Sequence, residues 1–155
     1  MNVLTKVLVA FDTKYGNTKI AAEKIAEGIK AEGIDVTLSN MKEVDFKTIE
    51  QYDAILMGCP NHFGGPTRTA KKFIDRLEKR DLKGKVIAVF DTYIKKDFEK
   101  AVKKMEETIN EKIPGSQLMT PGLSIKVEGM KGPILEEEFP KAKEFGKQIA
   151  TQIKG

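Results

Sequence analysis

Apolar residues follow two rhythms along this chain, and the rhythms alternate. Val7, Leu8, Val9, Ala10 and Phe11 form a continuous apolar run, as do Ala54, Ile55, Leu56 and Met57 ahead of Gly58, and Val86, Ile87, Ala88, Val89 and Phe90. Such runs predict strands buried on both faces of a parallel sheet. After each run the apolar positions return every three to four residues. They fall at Ile20, Ala21, Ile25 and Ile29, at Ala70, Phe73, Ile74 and Leu77, and at Phe98, Ala101, Val102, Met105 and Ile109. That spacing lays one apolar stripe along a helix. Gly33 is placed to stop the first helix, and the second runs from Pro66 or Thr67 to Arg80.

Four further stretches complete the pattern. Ile34, Val36 and Leu38 alternate with Asp35, Thr37 and Ser39, which predicts a strand covered on one face only, as at a sheet edge. Residues 40–52 form a connection with a short helix, and a fifth strand lies within 117–127, broken near Pro121 and Gly122. The last helix starts at Pro140 in its first position, with Ala142, Phe145, Ile149 and Ile153 inward. Gly146 sits inside it, where glycine weakens a helix.

Five strand-then-helix units predict an α/β fold of three layers, a doubly wound five-stranded parallel sheet with right-handed crossovers, occupying residues 1–155 as one domain. In the order 2-1-3-4-5, strands 1, 3 and 4 are neighbours. The loops at their C-terminal ends, 12–18, 59–66 and 91–96, then meet at one crevice.

The first of these loops suits an anion. A strand running straight into a helix leaves unpaired N–H groups at the helix start, and the helix dipole favours negative charge there. Gly16 lets the backbone approach closely, Thr13 and Thr18 offer hydroxyls, and Asn17 can cap the helix or donate. Lys14 either adds its charge or points into water. The second loop, Cys59-Pro60-Asn61-His62-Phe63-Gly64-Gly65-Pro66, combines free and stiff backbone and can lay N–H and C=O groups against the edge of a flat heterocycle. In the third, Tyr93 can stack on a ring or pack on its own surface.

Composition narrows the field. One cysteine, Cys59, excludes an internal disulfide, and one histidine, His62, leaves too few soft ligands for a zinc site. No apolar run approaches the ~18 residues that span a bilayer, and the opening MNVLTK has no signal-peptide pattern, so a cytoplasmic protein is expected, with no membrane partner. The net charge of +4 is mild and lysines alternate with glutamates along the helices, a pattern of solvated faces with no nucleic-acid patch. A phosphorylated receiver domain needs an aspartate at the end of strand 3, where this chain has Cys59. A low-molecular-weight phosphatase needs a cysteine five residues ahead of an arginine, and Cys59 and Arg68 are too far apart.

Thr13-Lys14-Tyr15-Gly16-Asn17-Thr18 resembles the FMN phosphate loop of the flavodoxin family, whose common form is Ser/Thr-x-Thr-Gly-Asn-Thr. Tyr15 stands where a third hydroxyl usually sits, as in the flavodoxin-like domains of flavodiiron proteins and of quinone reductases related to the tryptophan-repressor-binding protein. The resemblance extends to Gly58-Cys59-Pro60, the glycine-rich loop after it, Asp91-Thr92-Tyr93 and the length of the chain. It implies FMN as cofactor, with the phosphate held by Thr13, Asn17 and Thr18 and by the backbone of Lys14, Tyr15 and Gly16. It implies an isoalloxazine flanked by the segment Pro60, Asn61, His62, Phe63, Gly64 and Gly65, with Asp91 and Thr92 leading to Tyr93 on its outer face. The chain has no tryptophan, so His62 or Phe63 takes the inner face.

Two activities follow from the resemblance. One is a low-potential one-electron carrier between redox proteins; the other is an FMN-dependent NAD(P)H:quinone oxidoreductase. Relatives of the second kind usually carry longer inserts, which favours the carrier here. A scaffold that has lost its cofactor is a third reading. Lys14, Arg68, Lys71, Lys95 and Lys96 lie in or beside the loops against Asp12 and Asp91, which predicts redox partners with an acidic docking surface.

Overall fold

The computed structural model describes residues 5–154. Strand β1 (Lys6–Phe11) pairs in parallel with β2 (Asp35–Asn40) on one side and with β3 (Ala54–Pro60), the central strand, on the other. Next comes β4 (Val86–Tyr93), and the far edge is a strand in two pieces, β5 (Gln117–Leu118) and β6 (Leu123–Lys126), each paired with β4. The order is 2-1-3-4-5, as the alternating pattern implies, and the break falls where Pro121 cannot donate to a ladder.

Helices α1 (Asn17–Lys30) and α4 (Phe139–Lys154) cover one face, burying Ile25, Ile29, Phe145 and Ile149 with Val7, Val9, Leu56 and Phe90. Helices α2 (Arg68–Glu78) and α3 (Lys100–Lys112) cover the other, burying Phe73, Leu77, Met105 and Ile109 with Leu8, Ile55, Met57 and Val89. Alternate residues of each central strand thus enter opposite cores, which is why those strands are apolar throughout. At the edge β2 is only partly covered.

Gly146 has a structural reason. A Cβ there would press on the Ile25 carbonyl oxygen, and one at Gly28 would press on that of Lys143, so α1 and α4 approach backbone to backbone. Gly58 plays the same part in the sheet, where its missing side chain is filled by the ring of its β4 neighbour, Phe90.

Several boundaries depart from the sequence reading. The short helix expected in 40–52 is two 3-10 turns, Met41–Glu43 and Phe46–Gln51, capped by the side chains of Asn40 and Asp45. They dock on α2 through Phe46, which packs on Phe73 at 5.2 Å and lies under Arg76. Helix α1 begins at Asn17, three residues before Ile20, and Ile20 faces outward. Phe98, expected on the inner stripe of the third helix, precedes α3, is 55% exposed and packs edge-on against Tyr93. Pro140 is the second residue of α4. Among the described residues no helix is long and apolar enough to cross a membrane.

Candidate functional site

The C-terminal ends of β1, β3 and β4 open onto a crevice of about 400 Å³, a size suited to a small-molecule ligand. It is lined by Thr13, Lys14, Tyr15, Asn17 and Thr18 from the first loop, Pro60, Asn61, His62 and Phe63 from the second, and Thr92 and Tyr93 from β4. Tyr93 and Thr13 therefore face the same space. Ile94, Asp97, Val127, Gly129 and Met130 complete the lining.

At the β1 end the chain turns through Gly16, whose φ of +94° is open to glycine at no steric cost. The Gly16 N–H donates to Thr13 Oγ1 at 2.9 Å, which closes the turn and leaves the threonine hydroxyl proton free. Among the described residues no side chain caps α1. Asn17 and Thr18, which a simple capping role would occupy, are both buried at the crevice, and neither caps the helix. The Thr18 and Thr92 hydroxyls meet at 3.0 Å across the floor of the crevice. The first turn of α1 holds no acid, so its uncapped N–H groups face the crevice with the positive end of the helix dipole.

At the β3 end Asn61 is held at two points. Its N–H donates to the Thr92 carbonyl at 2.8 Å, and its Nδ2 donates to Asp97 Oδ2 at 3.0 Å. Asp97 Oδ1 pairs with Lys100 at 3.0 Å. Because the amide nitrogen faces a carboxylate, the opposite atom must be the oxygen, and among the described residues buried Oδ1 has no hydrogen-bond partner. Buried acceptors are almost always satisfied, so an orphan on a crevice wall marks a place for a donor.

His62 and Gly65 exchange backbone hydrogen bonds at 2.7 and 3.1 Å around a turn with Phe63 at φ +49° and Gly64 at φ +76°. Gly64 suits such a φ; Phe63 does not, and its ring stands 95% exposed at the tip, edge-on to His62 at 4.5 Å. Gly64, Gly65 and Gly16 shape the two turns without lining the crevice.

Asp91 is the residue whose setting differs most from the sequence reading. That reading ends β4 at Phe90 and gives Asp91 to a loop, whereas β4 continues to Tyr93 and Asp91 is fully buried, away from the crevice. Its carboxylate accepts from Ser124 Oγ at 2.5 Å and from the Val102 N–H at 3.0 Å, tying β6 and the start of α3 to β4. Burial raises its pKa to about 6 against these bonds. Cys59 lies buried under the second loop with its thiol pushed up to about 12 by burial, which removes it as a nucleophile. Among the described residues no cluster of His, Cys, Asp and Glu could hold a metal ion.

The sequence reading missed the fourth wall. Residues 127–134 fold back on themselves through the Val127–Ile134 bridge and the Glu128 N–H to the Pro133 carbonyl at 2.9 Å. This flap reaches over the first loop. Met130 Sδ lies 3.9 Å from the Tyr15 hydroxyl, and Gly132, at φ +104°, sits where a Cβ would be 2.6 Å from Asn17 Oδ1. The Gly-x-x-Gly-Pro run at 129–133, following the C-terminal end of the last strand as the other loops follow theirs, is the signal that would have found it.

A protein-family model described as Flavodoxin matches residues 9–133. The flavodoxin of Maridesulfovibrio salexigens is 33% identical over 160 aligned positions, covering 97% of this chain and all of that one. The flavodoxin of Clostridium saccharobutylicum is 33% identical over 88 residues, 56% of this chain and 55% of that protein's length. A solved structure described as a flavodoxin from the domain Archaea superposes with a TM-score of 0.85 at 26% identity, covering 97% of this chain and 100% of that one. A quinone-dependent NAD(P)H dehydrogenase of Gluconacetobacter diazotrophicus is 30% identical over 104 residues, only 52% of its own length. Matched from end to end on the same sheet order, with the crevice where three strands finish, the chain belongs to the flavodoxin family.

Proposed function

We propose that the chain binds FMN in this crevice and carries electrons between partner proteins. Flavodoxins bind FMN, and the observation that carries the assignment to this site is the contrast between the crevice's two ends. The uncapped start of α1 calls for an anion, and the unpartnered Asn61 Oδ1 calls for an N–H. FMN offers a phosphate and, at its ring edge, an N–H. The residues present therefore fit the cofactor.

In this reading Thr13, Thr18 and the backbone from Lys14 to Asn17 hold the phosphate, and the helix dipole stabilises its charge. Asn61 accepts from the ring with Asp97 fixing its orientation. Tyr93, backed by Phe98, and the His62–Phe63 pair supply aromatic walls. The flap at 127–134 excludes water above Asn17. Bound FMN supplies the redox chemistry, and the protein sets its electrostatic surroundings.

Short connections favour a carrier over an enzyme. The second loop is a tight turn and the flap spans eight residues, so among the described residues no long insert closes a pocket for a second substrate over the crevice. The test is to load the protein with FMN, reduce it anaerobically and add a one-electron acceptor protein. The carrier reading expects two electrons delivered singly per chain, and no steady oxidation of NADH or NADPH when a quinone is the only other addition. Steady turnover in that second assay would assign the chain to the quinone reductases instead.

A further inference from the structure

Beside the crevice a second, wider groove of about 1070 Å³ runs between α2 and α3. The two share a rim of Thr13, Lys14, Pro60, His62 and Phe63, so whatever lies in the groove touches the edge of the candidate flavin site. Its walls are cationic. Arg68 and Lys71 project from α2 and Lys104 from α3, all exposed, and among the described residues none of the three has an ion-pair partner within 4 Å. Two of the three carboxylates in the groove are already engaged. Asp75 pairs with Lys112, and Asp12 accepts from Thr67 Oγ1 at 2.7 Å. Only Glu107 is left facing the cations.

The placement of Arg68 and Lys71 works against the helix that carries them. The first turn of a helix favours acids, because its backbone already presents positive charge. Helix α2 has no acid in its first turn and carries Arg68 and Lys71 there, whereas at the start of α3 Lys100 and Lys103 are paired with Asp97 and Glu99. A phosphate bound at α1 would account for that helix alone. Local choices that oppose the fold mark a functional surface. Lys104 also lies along the second loop, with its Cδ 3.2 Å from where a Cβ on Gly65 would stand. Phe63, almost fully exposed in a conformation that phenylalanine seldom adopts, gives the same rim an apolar contact point.

The geometry points to this groove as the docking site for an acidic redox protein, whose carboxylates lie against Arg68, Lys71 and Lys104 while its redox centre meets the crevice at Phe63. The inference rests on the electron-carrier reading and adds to it a location and the sign of the partner's charge. In the transfer step one electron leaves the reduced flavin and one ferric ion of the acceptor becomes ferrous, with no atom transferred.

The test is stopped-flow oxidation of the photoreduced, FMN-loaded protein by rubredoxin, a small acidic ferric acceptor, with cytochrome c as a basic acceptor for comparison. The rate constant with rubredoxin is expected to fall roughly tenfold or more as ionic strength rises from low to physiological values, and that with cytochrome c to stay level or rise. The triple variant Arg68→Glu, Lys71→Glu, Lys104→Glu should lose at least about tenfold with rubredoxin at low salt and leave FMN affinity unchanged. The same number of reversals at Lys30, Lys79 and Lys147, away from the groove, should have a much smaller effect. Salt-insensitive rates, or equal losses from the two triple variants, would overturn the docking site and leave the carrier intact. A protein that holds no flavin before any acceptor is added would overturn both.

Discussion

Replacing Asn61 by leucine gives a prediction that a purely structural role for this residue does not share. In the free protein Asn61 Oδ1 is buried without a donor while Nδ2 bonds Asp97 at 3.0 Å. An unsatisfied buried acceptor costs ~1–3 kcal/mol, and a hydrogen bond to a partly exposed carboxylate returns ~1–2 kcal/mol. Leucine, of similar size, removes both contributions, and the backbone bond from Asn61 to Thr92 does not depend on the side chain. The apoprotein should therefore keep its stability to within ~1 kcal/mol, or gain slightly. With FMN bound the balance changes, because the acceptor is then satisfied. Losing it should weaken FMN binding by ~1–2 kcal/mol, roughly five- to thirtyfold. Urea unfolding of the apoprotein and fluorescence titration with FMN separate the two effects. Adding Asp97→Ala to the leucine variant should change FMN affinity little further, since Asp97 acts largely through the amide. Unchanged FMN affinity in Asn61→Leu would refute the reasoning, as would apoprotein destabilisation beyond ~2 kcal/mol, which would show that the bond to Asp97 outweighs the orphaned oxygen.

Other consequences follow from the same packing. Asp91 has a carboxyl pKa raised from 3.8 to about 6 by burial, so between those values the folded state binds the extra proton. Its contribution is fully present below the lower value and is lost as pH rises through the higher, by up to ~3 kcal/mol; urea midpoints at pH 4.5 and 7 should show this fall in the native protein and a flatter profile in Asp91→Asn. Gly146→Ala should lower the melting temperature although alanine is the better helix former by ~1 kcal/mol, because its Cβ meets the Ile25 carbonyl where α1 and α4 touch. A rise in melting temperature would show that the helices can separate at no net loss. The Cys59 thiol, buried and pushed to about 12, should resist a thiol reagent at pH 8 in the folded protein and react at once in denaturant.

The central strands were legible because β1, β3 and β4 are buried on both faces and their apolar runs have no gaps. The loops at their ends were legible because glycine, threonine and asparagine cluster there. The start of α1 was harder to see, since its first turn, Asn17-Thr18-Lys19, is polar, with Asn17 and Thr18 lining the crevice and Lys19 exposed. The end of β4 was hidden for a related reason. Asp91 and Thr92 look like loop residues, yet Ser124, Val102 and Thr18 satisfy them inside the protein. Those partners lie far away in sequence, and no local pattern announces them. The flap at 127–134 escaped notice because the strand before it is short and broken, so the apolar rhythm fades just where the fourth wall begins. Asp97 was equally silent, because a charged residue in a polar loop gains meaning only when Asn61 is found beside it.

The account stands on one crevice holding an anion at the start of α1 and a flat ring between Asn61 and Tyr93. Paired titrations of the apoprotein with FMN and with riboflavin, followed by flavin fluorescence, test this most directly, because the two ligands share the ring and differ in the phosphate. The account predicts one FMN per chain with quenched fluorescence, and riboflavin bound at least about a hundredfold more weakly, on the order of 3 kcal/mol for the phosphate contacts. Equal affinity for both, or no binding of either, would contradict it.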